Sequence, residues 1–217
     1  MERSVQLDPV EARVFGVLVE KALTTPDQYP LTLNSTLLGA NQKSNRDPVL
    51  TLEEYEIEGG LDRLIKKYLA RRVFPGNSRV EKYCHNGKDG LGLDAPSLAI
   101  IAELLMRGPQ TAGELRGRAG RMAPIDSLDQ LMQMLAPLIE HGLVRSLPPA
   151  PGSRAERYAQ LLCPDLHPLD AKPTTSGSEA TAAPALTARV EALETEVATL
   201  RQQLAEITTR LGHSGSN

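Results

Sequence analysis

The chain has 217 residues, 41% hydrophobic and 24% charged, enough for one large or two small soluble domains plus a tail. Aromatic residues make up 3% and Trp is absent, which argues against a base-stacking platform or a sugar-binding cleft. The net charge of −3 excludes a uniformly basic nucleic-acid coat but not local basic patches. Glu2, Asp8, Glu11 and Glu20 interrupt the apolar positions of the first twenty residues, so no signal peptide is expected. No apolar run approaches the roughly 18 residues of a membrane span. Cys84 and Cys163 make no disulfide framework, and the expectation is a cytoplasmic protein with reduced thiols.

Asp8 is a cap signal, with Pro9 at the first helical position and Glu11 placed to reach back. The helix it opens is predicted to end near residue 22, before Thr24-Thr25-Pro26. A second helix is predicted over about 32–41 and a third over about 51–68. Residues 69–74 and 80–83 read as a hairpin closed by a turn at 75–78. Gly87-Lys88-Asp89-Gly90 reads as a break between domains. The same order then recurs. Asp94 caps a helix that stops at Gly108-Pro109, and further helices are expected over 111–121 and 127–141. Strands are expected over 143–147 and 156–161. Pro137 should kink or divide its helix. Gly59-Gly60 weakens the first copy's third helix by about 2 kcal/mol relative to two alanines, and points to close packing against a neighbouring backbone or, as the alternative, to a hinge.

The recurrence is visible in the residues. Residues 61–71 align without gaps on 135–145, and Pro75-Gly76 through Tyr83 echoes Pro151-Gly152 through Tyr158 with one deletion. Tyr83 and Tyr158 fall at matching positions, which suggests repeated core. Three helices followed by a hairpin make a winged helix. The expected fold is therefore mainly α with small β-hairpins: winged-helix domains at 1–88 and 91–163, a disordered linker at 164–184 and a coiled-coil helix at 185–212. In that last segment Leu186, Val190, Leu193, Val197, Leu200, Leu204, Ile207 and Leu211 follow 4-3-4-3 spacing. Branched Val at a with Leu at d favours a parallel pair, and Arg189 with Glu194 and Glu196 with Arg201 would attract across it. Val190, Leu193, Val197, Leu200, Leu204 and Ile207 are the expected homodimer seam.

Thr25-Pro26-Asp27-Gln28-Tyr29-Pro30-Leu31-Thr32-Leu33-Asn34, followed by Asn41-Gln42-Lys43-Ser44-Asn45-Arg46-Asp47-Pro48-Val49, closely resembles the YceH-like family of uncharacterised bacterial proteins. Gln110-Thr111-Ala112-Gly113-Glu114-Leu115-Arg116 and residues 118–122 resemble it too. The resemblance covers about residues 7–162. It implies tandem winged-helix domains and carries over no catalytic residues. Gly59-Gly60 departs from the pattern expected of the family's third helix.

No constellation for chemistry emerges. Adjacent Cys84-His85 and the Cys163…His167 pair lack zinc-finger spacing, and strand neighbours Cys84 and His85 would point to opposite faces. No phosphate-binding glycine loop is present, so no cofactor, metal or catalytic residue is expected. Two non-enzymatic readings follow. The first is DNA binding by Lys43, Asn45 and Arg46 between helices two and three, by wing residues Arg79, Lys82, Arg154 and Arg157, and by Arg116 and Arg118. Against it, the first copy's third helix carries Glu53, Glu54, Glu56 and Glu58, and the second's carries Asp126 and Asp129, where phosphates would repel them. The second reading is a protein-interaction scaffold that uses those acidic helices and the coiled coil. The expected partners are thus duplex DNA or other proteins, and no membrane.

Overall fold

A computed structural model of the chain describes residues 5–74, 76, 80–150 and 152–167. The heptad segment, the linker beyond residue 167 and Arg79 lie outside the described residues. Helix α1 (Pro9–Thr24) opens on the predicted capping box. Glu11 N donates to the Asp8 carboxylate at 2.8 Å, and Asp8 N donates to the Glu11 carboxylate at 2.7 Å. Thr32 caps α2 (Leu33–Ala40). Helix α3 (Glu54–Lys66) starts later than expected, because Asn41 holds Leu52 outside the helix. The Asn41 amide donates to the Leu52 carbonyl and its oxygen accepts from Leu52 N, both at 2.8 Å. Strand β1 (Ala70–Val73) pairs antiparallel with β2 (Lys82–His85), which begins two residues after the predicted return strand.

The expected break at 87–90 is instead a short helix, α4 (Gly87–Leu91). Its glycines serve close approach: a Cβ on Gly87 would lie 2.5 Å from a Leu98 methyl, and one on Gly90 would lie 2.5 Å from the Tyr68 carbonyl. Helix α5 (Ala95–Arg107) begins at the Asp94 cap and ends at Gly108. There follow β3 (Gln110–Thr111), α6 (Ala112–Ala119), α7 (Leu128–Glu140), β4 (Val144–Leu147) and β5 (Arg157–Gln160). Pro137 does not divide α7. Pro137 and Gln133 are both exposed, so the carbonyl that loses its helical donor can turn to water. The three strands of the second sheet run antiparallel in the order β3-β5-β4. In the first half, the place of β3 is held by a single bridge between Leu31 and Tyr83.

The two halves match closely inside. Helices α3 and α7 have 13 residues each, and α2 and α6 have eight. Ile57, Leu61 and Leu64 on α3 correspond to Leu131, Leu135 and Leu138 on α7, and all six are buried. Tyr83 and Tyr158 are buried in the matching strands. Between the halves, α1 and α5 make the most extensive helix contact, with Gly16 closely apposed to Met106 and Ala102. Residues 11–19 and 97–106 are buried on every side, including the charged side chains of Glu11, Arg13 and Glu103. The described residues therefore share one core. The ordered body also runs past the expected linker start: Leu166 is buried, in a 3-10 turn over Pro164–Leu166.

Candidate interaction surface

The polar run between α2 and α3 is one of the expected DNA contacts; Lys43, Ser44, Asn45 and Asp47 are exposed, but Arg46 is turned inward. Arg46 is 6% exposed. Its guanidinium donates to Glu20 Oε2 at 2.6 Å, Gln42 Oε1 at 2.9 Å and the Gly39 carbonyl at 3.1 Å. Fully buried Arg13 supports the same loop, donating to the Pro48 carbonyl at 2.6 Å and the Ala40 carbonyl at 3.2 Å. Desolvation, with Arg46 nearby, pushes the Arg13 pKa down to about 10, so it stays charged at neutral pH. The loop is further tied to the second half. Asp47 N donates to the Met106 carbonyl at 2.7 Å, Arg107 donates to the Asn45 side chain, and His167 Nε2 donates to the Asp47 carbonyl. Arg46 is thus withdrawn from the expected contact set: its hydrogen bonds hold the loop down. Lys43 is exposed and has no polar partner among the described residues.

The other predicted cations divide in the same way. Arg116 donates to the Asp126 carbonyl at 3.0 Å, while Arg118 donates to Gln110 Oε1 at 2.9 Å and lies 3.8 Å from Glu114. Several members of the first basic stretch are also engaged. Lys67 donates to buried Glu11 at 2.6 Å, Arg63 to Asp8 at 2.8 Å, and Arg72 pairs with Asp62. Lys82 is half-buried on β2, Arg154 is exposed in the β4–β5 loop, and Arg157 is half-buried on β5 with its Nε unpartnered. Lys43, Lys82, Arg154 and Arg157 are therefore spread over two loops and two strands. No described residue of the predicted set lines the cleft of about 810 Å³ whose walls include Leu91, Leu93, Leu138, Leu143, Asp94 and His141.

The third helices carry the clearest surface chemistry. Residues four apart on a helix share a face. On α3, exposed Glu54 and Glu58 and half-buried Asp62 form one row, and the Glu56 carboxylate folds back to accept from Glu53 N at 2.8 Å. On α7 the corresponding row is Leu128, Met132 and Ala136, continued by Ile139. Leu128, Met132 and Ile139 are 48%, 43% and 40% exposed. Isolated apolar residues on the surface need no explanation, but an apolar row on one helix face marks a candidate contact site. Sequence reasoning noted the carboxylates of both helices and missed this row. Its signal was the apolar spacing at 128, 132 and 139, on the flank of the buried positions 131, 135 and 138.

Among the described residues, no helix is long and apolar enough to cross a membrane, and no three His, Cys, Asp or Glu side chains gather to hold a metal ion. The chain matches the family model described as "Protein of unknown function, DUF480" over residues 7–153. It is 42% identical to a UPF0502 protein of Cronobacter sakazakii, across 97% of this chain and 98% of the relative. It is 47% identical to one of Mesorhizobium japonicum, across 91% and 94%. It is 41% identical to the UPF0502 protein YceH of Salmonella newport, across 95% and 98%. With a family model spanning most of the chain and relatives matched nearly end to end, the chain belongs to the UPF0502 (YceH) family.

Proposed function

We propose that the chain is a tandem winged-helix protein that works as a protein-interaction scaffold, with its third helices as contact surfaces. The winged-helix part of this reading is supported by the β3-β5-β4 order, in which the strand preceding α6 joins the hairpin that follows α7. The Leu31–Tyr83 bridge occupies the same place in the first half. One observation carries the functional part. The faces a winged helix would turn to DNA bases bear carboxylates on α3 and bulky apolar side chains on α7. Carboxylates are repelled by phosphates, and exposed Leu, Met and Ile gain by burial against another apolar surface. In this reading the heptad segment, through Val190, Leu193, Val197, Leu200, Leu204 and Ile207, joins two copies and doubles the binding sites.

Affinity purification of the full chain from a nuclease-treated native extract tests the scaffold. A partner retained in fixed stoichiometry is expected, and recovery of the bait alone would overturn the reading. Light scattering on the full chain tests the pairing: a dimer is expected, and a monomer would end it.

A second reading, DNA binding led by wings and loop, keeps one specific support, the exposed and unpartnered Lys43 and Arg154. It predicts a salt-dependent shift of duplex DNA that weakens in Arg154→Ala. No shift at low salt would remove it.

A further inference from the structure

Resting on the scaffold reading, we propose that the exposed apolar row of α7 binds an amphipathic helix with an apolar face and a basic flank. Leu128, Met132, Ala136 and Ile139 lie at i, i+4, i+8 and i+11, on one face of α7. Tyr158 of β5 donates its hydroxyl to Met132 Sδ at 3.4 Å, so the row meets the hairpin at Met132. Ser146 pairs with Tyr158 and shares its face, and Ser146 Oγ donates to Glu156 at 3.2 Å. Arg145, the neighbour of Ser146, pairs with Ala159 and belongs to the other face of the sheet.

Three carboxylates flank the row, with Arg116 held on the Asp126 carbonyl before α7. Asp129 and Glu140 flank the row on α7, Glu156 flanks it on the hairpin, and all three are exposed. Arg154 is exposed in the connecting loop, and Arg157 pairs with Leu147 on the same face as Arg145. Lys or Arg beside the apolar face of a partner helix would meet those carboxylates, whereas an acidic helix or a DNA backbone would be repelled.

The test uses the full chain and two fluorescein-labelled 18-residue peptides with identical helical Leu spacing, one with Lys flanks and one with Glu flanks. Fluorescence anisotropy should show saturable binding of the Lys-flanked peptide. Binding should be at least tenfold weaker for the Glu-flanked peptide, and at least tenfold weaker with Met132→Ser/Ile139→Ser. It should stay within twofold with Glu58→Gln/Asp62→Asn on α3. Thermal melts establish that the variants fold, and Leu128→Ser replaces the double variant if that one does not. No saturable binding, an equal response to the two peptides, loss through α3 rather than α7, or α7-dependent binding of a 20-base-pair duplex in the peptide's place would each overturn the proposal. Nuclease-resistant partner capture that persists in the α7 variant would sink this inference while leaving the scaffold reading intact.

Discussion

Helices α3 and α7 are the same helix on the inside and different helices on the outside. Both bury three large aliphatic residues at equivalent positions: Ile57, Leu61 and Leu64 on one, Leu131, Leu135 and Leu138 on the other. Outward, Glu54, Glu58 and Asp62 stand where α7 has Leu128, Met132 and Ala136. The loops before them also diverge. The α2–α3 loop is pinned by Arg13, Arg46 and Asn41, whereas the α6–α7 loop buries Ala123 and Ile125. Packing constrains the inner face to one chemistry and leaves the outer face open to two.

The largest expected effect separates the two loops. Arg46→Ala would strand the Glu20 carboxylate and the Gly39 carbonyl, costing about 3–5 kcal/mol as for other broken buried pairs. Arg116→Ala, at an exposed bond in the second half, should cost about 1 kcal/mol or less. Urea unfolding checks both, and equal small losses would mean the Arg46 network is not structural. Next come the matched inner faces. Leu61→Ala and Leu135→Ala should each cost about 2–5 kcal/mol, and a negligible cost for either would break the equivalence.

A smaller effect concerns Gly59-Gly60, where α7 has Gln133-Met134. A Cβ on Gly60 would lie 2.9 Å from Val10 Cγ1, so Gly60→Ala should destabilise by about 1–2 kcal/mol despite its helix propensity. Gly59 faces only the end of the flexible Arg63 side chain, so Gly59→Ala should stabilise by about 0.5–1 kcal/mol. Thermal melts of the two variants should therefore move in opposite directions.

The joint between the halves has a pH signature. Burial, with Arg13 adding to it, pushes the His167 pKa below its ordinary 6.5 despite the bond to Asp47. The unfolded chain then binds more protons just below that value, so stability should fall as pH drops below about 6.5. His85, lowered by burial and by Arg71, acts in the same sense, and Glu103, raised by burial, acts in the opposite one. The check is the difference between the wild type and His167→Gln, which should lose part of the acid slope. An unchanged slope would show that His167 does not titrate in this window. The outer faces should be little affected. Glu58→Gln should change stability by about 0.5 kcal/mol or less in urea unfolding, and Met132→Ser by about 1 kcal/mol because it also removes the acceptor of the Tyr158 hydroxyl.

Local signals carried most of the architecture. Asp8 with Glu11, Thr32, Asp94 and Thr111 all cap where their side chains can satisfy free helix amides, and such bonds depend only on near neighbours. Repeated core positions such as Leu61 and Leu135 were legible because both copies follow one helical period. Long-range consequences were not. Gly87-Lys88-Asp89-Gly90 has turn composition, and only contact with Leu98, Tyr68 and Leu69 makes it a helix. Strand β3 is two residues long and exists through pairing with β5. Arg46 sits in a run of polar donors that reads as exposed, and its burial depends on Glu20, 26 residues away. The one overlooked hint was the apolar richness of α1 and α5, over 14–19 and 98–102, which places both helices at the centre of the core.

The most direct test of the claim that outer faces bind while inner faces fold is a graft of α3's row onto α7, Leu128→Glu/Met132→Glu/Ala136→Asp. Wild type and graft are compared by quantitative mass spectrometry of proteins retained from nuclease-treated extract, beside their unfolding curves. The account predicts a graft that unfolds within about 1 kcal/mol of the wild type and loses partners the wild type keeps. A graft that fails to fold, or one that folds and retains the same partners, would contradict it.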